Sequence, residues 1–358
     1  MQAPIRFASH TTFALLVVAA AALSACGGGG GGGDSTSTSP LSPRPPTVPE
    51  VPSVPVPPVV APAPSKPVTV DPVTTVPAPT YMPGSVAAVA FDLLNSERSR
   101  CGFGKVAQNA KLDTAAGWHA EYQRLRFMDG EAGGHLEDAN KSGFQAITPN
   151  ERGTKAGYVG GSGEFISYRG IGTASNMGDA LVRSLLGSVY HLAGSFDGYR
   201  DAGVGVSFAE GGLNPVATLN WTVGQPTDVP RQEPADVVTY PCEGTTGVQP
   251  SMRGEAPDPF AGLGFAADEH VGQPIYVRAP AGKEIDLLSA TITSSTGDSI
   301  PVFLYHASQD PHKVLTGNQA FVIPRQGLAQ ETTYTVQVQG TTDGIGFART
   351  FSFTTMKW

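Results

Sequence analysis

The chain has 358 residues, 23 Lys+Arg against 31 Asp+Glu, a formal net charge of −8 and 15% charged residues. Phosphate binding needs clustered Lys and Arg, and no basic block is present, so nucleic acid is excluded as an expected partner. Behind a Pro-rich front, roughly 275 residues remain, enough for one large or two ordinary domains.

In chain order, residues 1–25 open with a basic element at Arg6, continue into an apolar run and end in small residues. That order predicts a signal peptide, and the run is shorter than the about 20 residues a bilayer span needs. Leu23-Ser24-Ala25-Cys26, directly followed by Gly27 to Gly33, resembles the lipobox of bacterial lipoproteins. The resemblance implies that Cys26 carries lipid, palmitate included, and that acyl chains hold a soluble body on the membrane. Gly27 stands where Asp is commonly read as an inner-membrane retention signal. The expected location is therefore the bacterial outer membrane or cell surface, facing periplasm or exterior. The competing reading is a plain secreted protein with Cys26 incidental.

Residues 26–83 read as a Gly/Pro-rich disordered spacer. Their Val-Pro and Ala-Pro steps remove backbone donors and fix φ, which predicts an extended, partly polyproline II stretch. The first domain is expected over 84–225. Ser85 caps a helix running through VAAVAFDLLNSERSR, stopped by Cys101-Gly102. Leu112-Asp113 opens a second helix, with Asp113 as its N-cap. Its inward face includes His119, a packed and hydrogen-bonded core residue or a group supporting a site. A Gly-rich loop then carries His135, Glu137 and Asp138. Thr148, Pro149 and Glu151 have the spacing of a capping box and predict a short helix. Glu164 sits at the edge of a short apolar run. A third helix is expected over about 178–191, with Leu181, Leu185 and Val189 as its stripe and His191 at its C-terminal end, where the helix field favours an imidazolium. Val204, Val206 and Phe208 alternate as a strand, Gly211 marks a turn, and 217–223 returns as the partner strand.

Residues 226–270 read as a connector folded back on the first domain. Cys101 and Cys242 are an even pair in an oxidising compartment and predict one disulfide, the alternative being two buried free thiols. From 271 to 358 short alternating strands, with Tyr334, Val336 and Val338 on one face, predict a small all-β sandwich. The text LAQETTYTVQVQG with FSFTT is similar to the ending of immunoglobulin-like or fibronectin-like bacterial repeats. His306 and His312 have no ligand spacing, and no chemistry is assigned to this domain.

Read together, FDLLNSERSRCG (with Asn95 and Arg98), LDTAAGWHAEYQ, GHLED, GYVGGSGEFIS, LVRSLLGSVYH and AGVGVSF resemble, in order and spacing, the bacterial secreted branch of the CAP superfamily, the cysteine-rich secretory, antigen 5 and pathogenesis-related 1 group. The resemblance covers about residues 86–223. It implies an α+β fold, an α-β-α sandwich with an open cleft, and places His135, Glu164 and His191 in that cleft. This chain reads Gly-Glu-Phe where the family has Gly-Glu-Asn, lacks the usual Trp before the second histidine, and offers no counterpart to the second cavity glutamate of eukaryotic members.

Two imidazoles and a carboxylate can hold a first-row divalent ion, and the resemblance implies a weakly bound zinc at His135 and His191 with Glu164. The same three side chains can instead move protons, with Glu137 and Asp138 orienting an imidazole. No H-E-x-x-H helix, G-x-S-x-G turn or phosphate loop occurs. The expectation is a surface-anchored binding or interaction module for a lipid, a peptidoglycan-associated envelope component or a protein. The alternative is a divalent-metal-dependent hydrolase of peptide or cell-envelope polymer.

Overall fold

The computed structural model describes residues 69–171, 174–210, 215–252, 254–266 and 269–357. The signal peptide, Cys26 and most of the spacer lie outside the described residues, as does the turn expected at Gly211. The first body comprises β1 (Thr69–Val70), α1 (Val86–Arg100), β2 (Ala107–Gln108), α2 (Ala110–Met128), α3 (Pro149–Lys155), β3 (Gly160–Gly170), α4 (Ala174–Leu186), α5 (Val189–Ser195), β4 (Asp201–Ala209), β5 (Val216–Pro226) and β6 (Arg231–Gln232). The second comprises β7 (Val238–Tyr240), β8 (Thr245–Val248), β9 (Ile275–Arg278), β10 (Ile285–Ser294), β11 (Ser299–Ile300), β12 (Val302–His306), β13 (Gln319–Pro324), β14 (Thr333–Thr342) and β15 (Ile345–Thr355).

Ser85 starts α1 by accepting the Ala88 N–H on its hydroxyl. The first body's sheet runs β2-β4-β5-β3. Side chains alternate faces along a strand, and β4 uses this. Ala202 and Val204 join a core with Phe91 and Leu94 of α1, Leu181 and Leu185 of α4 and Trp221 of β5. Gly203 and Gly205 face α2. A Cβ on Gly203 would meet the Asp113 nitrogen at 2.1 Å, and one on Gly205 the Ala116 backbone at 2.2 Å. Glycine lets the α2 backbone lie directly on the strand. The sheet therefore lies between α2 on one face and α1 with α4 on the other. The fold is mixed α+β with several sheets.

The second body is two facing sheets, β11-β10-β14-β15-β8 and β12-β13-β9-β7. Tyr334, Val336 and Val338 of β14 meet Ile275, Val277 and Val322 between them. The opposite side of the smaller sheet is covered as well. Tyr276, Phe321 and Ile323 belong to the same core as α1, α4 and α5. Strands β9 and β13 are buried along their whole length because both faces are packed.

Four expectations change. The segment 226–270 is more than a connector: β7 pairs with β9 and β8 with β15, giving each sheet an edge strand. The end of the 26–83 spacer is strapped to the body. β1 pairs in parallel with β6, and Gln232 and Gln108 side chains accept the Val73 and Thr80 N–H groups, replacing partners an extended Pro-rich chain cannot provide for itself. Helix α2 begins earlier, with Asn109 as the cap accepting the Lys111 N–H. Asp113 is free of capping and accepts instead from Gln108 and the Val204 N–H. The helix expected over 178–191 is two helices, broken at Gly187-Ser188, where Ser188 is extended. His191 thus falls in the first turn of α5, not at a helix C-terminus.

Cys101, the C-cap residue of α1, is bonded to Cys242 with a Cα–Cα distance of 5.5 Å. Among the described residues no helix is long and apolar enough to cross a membrane.

Candidate functional site

Glu164 lies on β3 opposite Thr222 of β5. Asn220, the diagonal neighbour on β5, donates from Nδ2 to Glu164 Oε2 at 2.9 Å. Arg152 reaches the other oxygen. Its place on α3 is set by the capping box of Thr148 and Glu151, and its Nη2 donates to Glu164 Oε1 at 2.7 Å and to the His135 carbonyl at 3.0 Å. His135 Nδ1 is 3.2 Å from the same Oε1, and His119 Nε2 is 3.4 Å away. Burial works to raise the Glu164 carboxyl. The His135 hydrogen bond, the charges of His119 and Arg152 and the Asn220 amide outweigh it and hold the group below its ordinary 4.5.

His119 is fully buried. Its Nδ1 is 2.8 Å from Glu137 Oε1 and its Nε2 2.9 Å from the Gly134 carbonyl. It fastens α2 to the Gly-rich loop and lines neither cavity described below. Glu137 also accepts the Gln145 N–H, so the imidazole it orients is that of His119. Asp138 is exposed and accepts from the Asn140 N–H and side-chain amide in a local turn, outside the site.

His191 finds a carboxylate that sequence reasoning missed. Glu255 enters from the loop between β8 and β9 of the second body and accepts the backbone N–H groups of Val189, Tyr190 and His191 at 2.8 to 2.9 Å. It caps α5 where Ser188 makes no side-chain cap. Its Oε1 also lies 2.5 Å from His191 Nδ1. The site therefore holds two imidazole–carboxylate pairs, His135 with Glu164 and His191 with Glu255, and the two rings are 6.4 Å apart. Facing a carboxylate, each Nδ1 carries the proton in the neutral ring and Nε2 keeps the lone pair. Within Gly254-Glu255-Ala256-Pro257 no periodicity marks Glu255; the only sequence hint is the Cys101–Cys242 link that holds this segment near α1.

The pairs sit beside a cavity of about 630 Å³ walled by both bodies: Phe165, Tyr190 and Arg231 on one side, Arg278, Val314 and Asn318 on the other. The sandwich, given no chemistry from sequence, supplies a wall of the site. A second cavity of about 470 Å³ is lined by the same His135, His191 and Glu255, together with Ser188 and Tyr168. Phe165, standing where the resembled family has Asn, packs against the His191 ring edge with centroids 6.3 Å apart.

Chemically the site is restrained. Among the described residues no group of three His, Cys, Asp or Glu side chains is arranged to hold a metal ion. Both Glu164 oxygens are engaged by Arg152, His135 and Asn220, which leaves two imidazole Nε2 atoms as free donors. A catalytic zinc takes three protein ligands, so these residues do not fit such a centre. Ser188 Oγ is 3.1 Å from His191 Nδ1, the same nitrogen that meets Glu255. A Ser–His–acid relay needs opposite ring nitrogens, so this trio is not one.

The sequence matches no protein-family model and no curated protein. Among solved structures, a DUF4426 family protein from Pseudomonas aeruginosa PAO1 is similar at 19% identity over 33% of this chain and 86% of that chain, with a TM-score of 0.22, and at that score it carries no argument about this chain.

Proposed function

We propose that this chain is a lipid-anchored, surface-exposed binding module with a CAP-like cleft, acting on a small envelope-derived, lipid or protein ligand. The carrying observation is the pair of imidazole–carboxylate couples opening on a cavity of about 630 Å³ lined by both apolar and charged side chains, with no activated nucleophile among its described lining residues. That volume is in the range of small-ligand sites. The layering of α1 and α4, sheet and α2, and the meeting of His135, Glu164 and His191 in one place, support the CAP reading. The Leu23-Ser24-Ala25-Cys26 text supports the anchor, and the two facing sheets support an immunoglobulin-like second domain.

Titration of the purified chain with cell-wall fragments, lipids and partner extracts is expected to give saturable binding in one class. The His135→Ala/His191→Ala variant is expected to lose it. Failure in every class with folded protein sinks the reading. The metal-dependent hydrolase is the weaker alternative, because only two free nitrogen donors face the cavity. Stoichiometric zinc in the wild type, lost in the same variant, would restore it.

A further inference from the structure

Two charge clusters line the cavity between the two bodies. In the first, Arg231 and Arg278 bracket Asp197, and Arg278 also meets Glu233. Directly behind lies Arg98, whose guanidinium bonds only to the backbone carbonyls of Phe103, Gly104, Ser195 and Asp197. Three guanidinium groups thus stand against two carboxylates. In the second cluster Glu164 and Glu255, with Glu137 behind, face the guanidinium of Arg152 and the imidazoles of His119, His135 and His191. With the imidazoles neutral, the first cluster is net positive and the second net negative, and low-dielectric walls focus the field between them.

Each cluster also has a usable contact. The Arg231 side chain is 33% exposed, stacked on the Tyr199 ring at 4.9 Å, with one nitrogen bonded to Asp197. The rest of its planar fork matches a carboxylate. In the second cluster His135 and His191 offer Nε2 lone pairs to a donor. Phe165, Tyr190 and Val314 add apolar lining.

We infer that the cavity binds a short peptide with free ends, its carboxylate on Arg231 and its ammonium at the imidazoles. This rests on the binding-module reading and names the ligand class. A fatty acid would satisfy the guanidinium and leave the two imidazole acceptors without a donor. A dipolar peptide satisfies both clusters and aligns with the field between them.

The test is calorimetric titration of the full chain with tri-alanine, its N-acetyl form, its C-terminal amide, and dodecanoate. Tri-alanine is expected to bind at one site. The amide and the acetylated form should each bind about tenfold more weakly, the loss of one charge-assisted hydrogen bond. Arg231→Gln should erase the difference between acid and amide, and Arg231→Lys should keep part of it. Equal affinity for acid and amide in the wild type overturns the inference, and needs no variant to fold. So does dodecanoate binding without tri-alanine binding, which leaves the binding-module reading intact. No binding by any of the four probes also overturns the peptide class, while the wider envelope and lipid titration decides the parent reading separately.

Discussion

Glu164 is 8% exposed and accepts hydrogen bonds on both oxygens, so its charge matters to stability as well as to any ligand. Because its folded value is depressed below 4.5, its contribution is fully present above the unfolded value and is lost as pH falls through the folded one. Glu164→Gln removes the nearer of the two carboxylates facing buried Arg152, leaving Glu137 at 3.7 Å, and a loss of about 3 kcal/mol is expected at neutral pH. Denaturant melts from neutral pH into acid should show the gap between wild type and variant constant above 4.5 and narrowing below it. A gap that ignores pH would mean the carboxylate is not the stabilising species. Gly194 gives a second residue-scale prediction. A Cβ there would meet the Phe165 ring at 2.3 Å, so Gly194→Ala should cost about 1–3 kcal/mol through overpacking and tilt Phe165 into the cavity. Thermal melts read the first effect, and weakened ligand binding reads the second. The residues at this scale divide clearly by legibility. The Thr148 cap, Pro149 and Glu151 act within one turn, and local spacing exposes them. Arg152 carries no such local signal, since its bond to Glu164 depends on how α3 lies against β3.

At the scale of elements, α5 exists because Gly187-Ser188 ends α4 and a carboxylate from 255 caps the next turn. Periodicity alone joins 178–191, since Leu181, Leu185 and Val189 keep helical spacing across the break. The Cys101–Cys242 bond ties α1 to the segment that carries β7, β8 and Glu255. With a sequence separation of 141, chain-entropy theory gives about 5 kcal/mol as its contribution. Chemical denaturation of a Cys101→Ser/Cys242→Ser variant against the oxidised protein measures it. If the two differ by less than about 1 kcal/mol, the tie does not position the segment, and packing alone does.

Across the whole molecule, the two bodies share one core and one cavity. Tyr190 of α5 donates its hydroxyl to Asp310, which also accepts the N–H groups of His312, Val314 and Leu315. This contact couples the helix that carries His191 to the sandwich loop that carries Val314. Tyr190→Phe should cost about 1.5–3 kcal/mol, the value of a hydrogen bond to a charged group, and should weaken ligand binding without touching either imidazole. Calorimetry should show one cooperative transition in the wild type, because β9 and β13 are packed on both faces. Two separated transitions would show that the sandwich docks too weakly to form a wall.

The sequence by itself determined what short-range chemistry controls. It specified where α1 and α3 begin, which strands of the second body alternate, that two cysteines were available to pair, and that a histidine–glutamate set lay within the first body. The helix starts and the strand alternation follow from spacing over a few residues, where caps, turns and side-chain periodicity act; the histidine–glutamate set is what the family resemblance implied. Tertiary structure decided that Glu255 meets His191, that Arg152 and Asn220 share Glu164, and that the sandwich closes the cavity. Those contacts join residues 12 to 64 positions apart on different elements, and their energies come from burial and from the docking of whole elements, which no local pattern encodes.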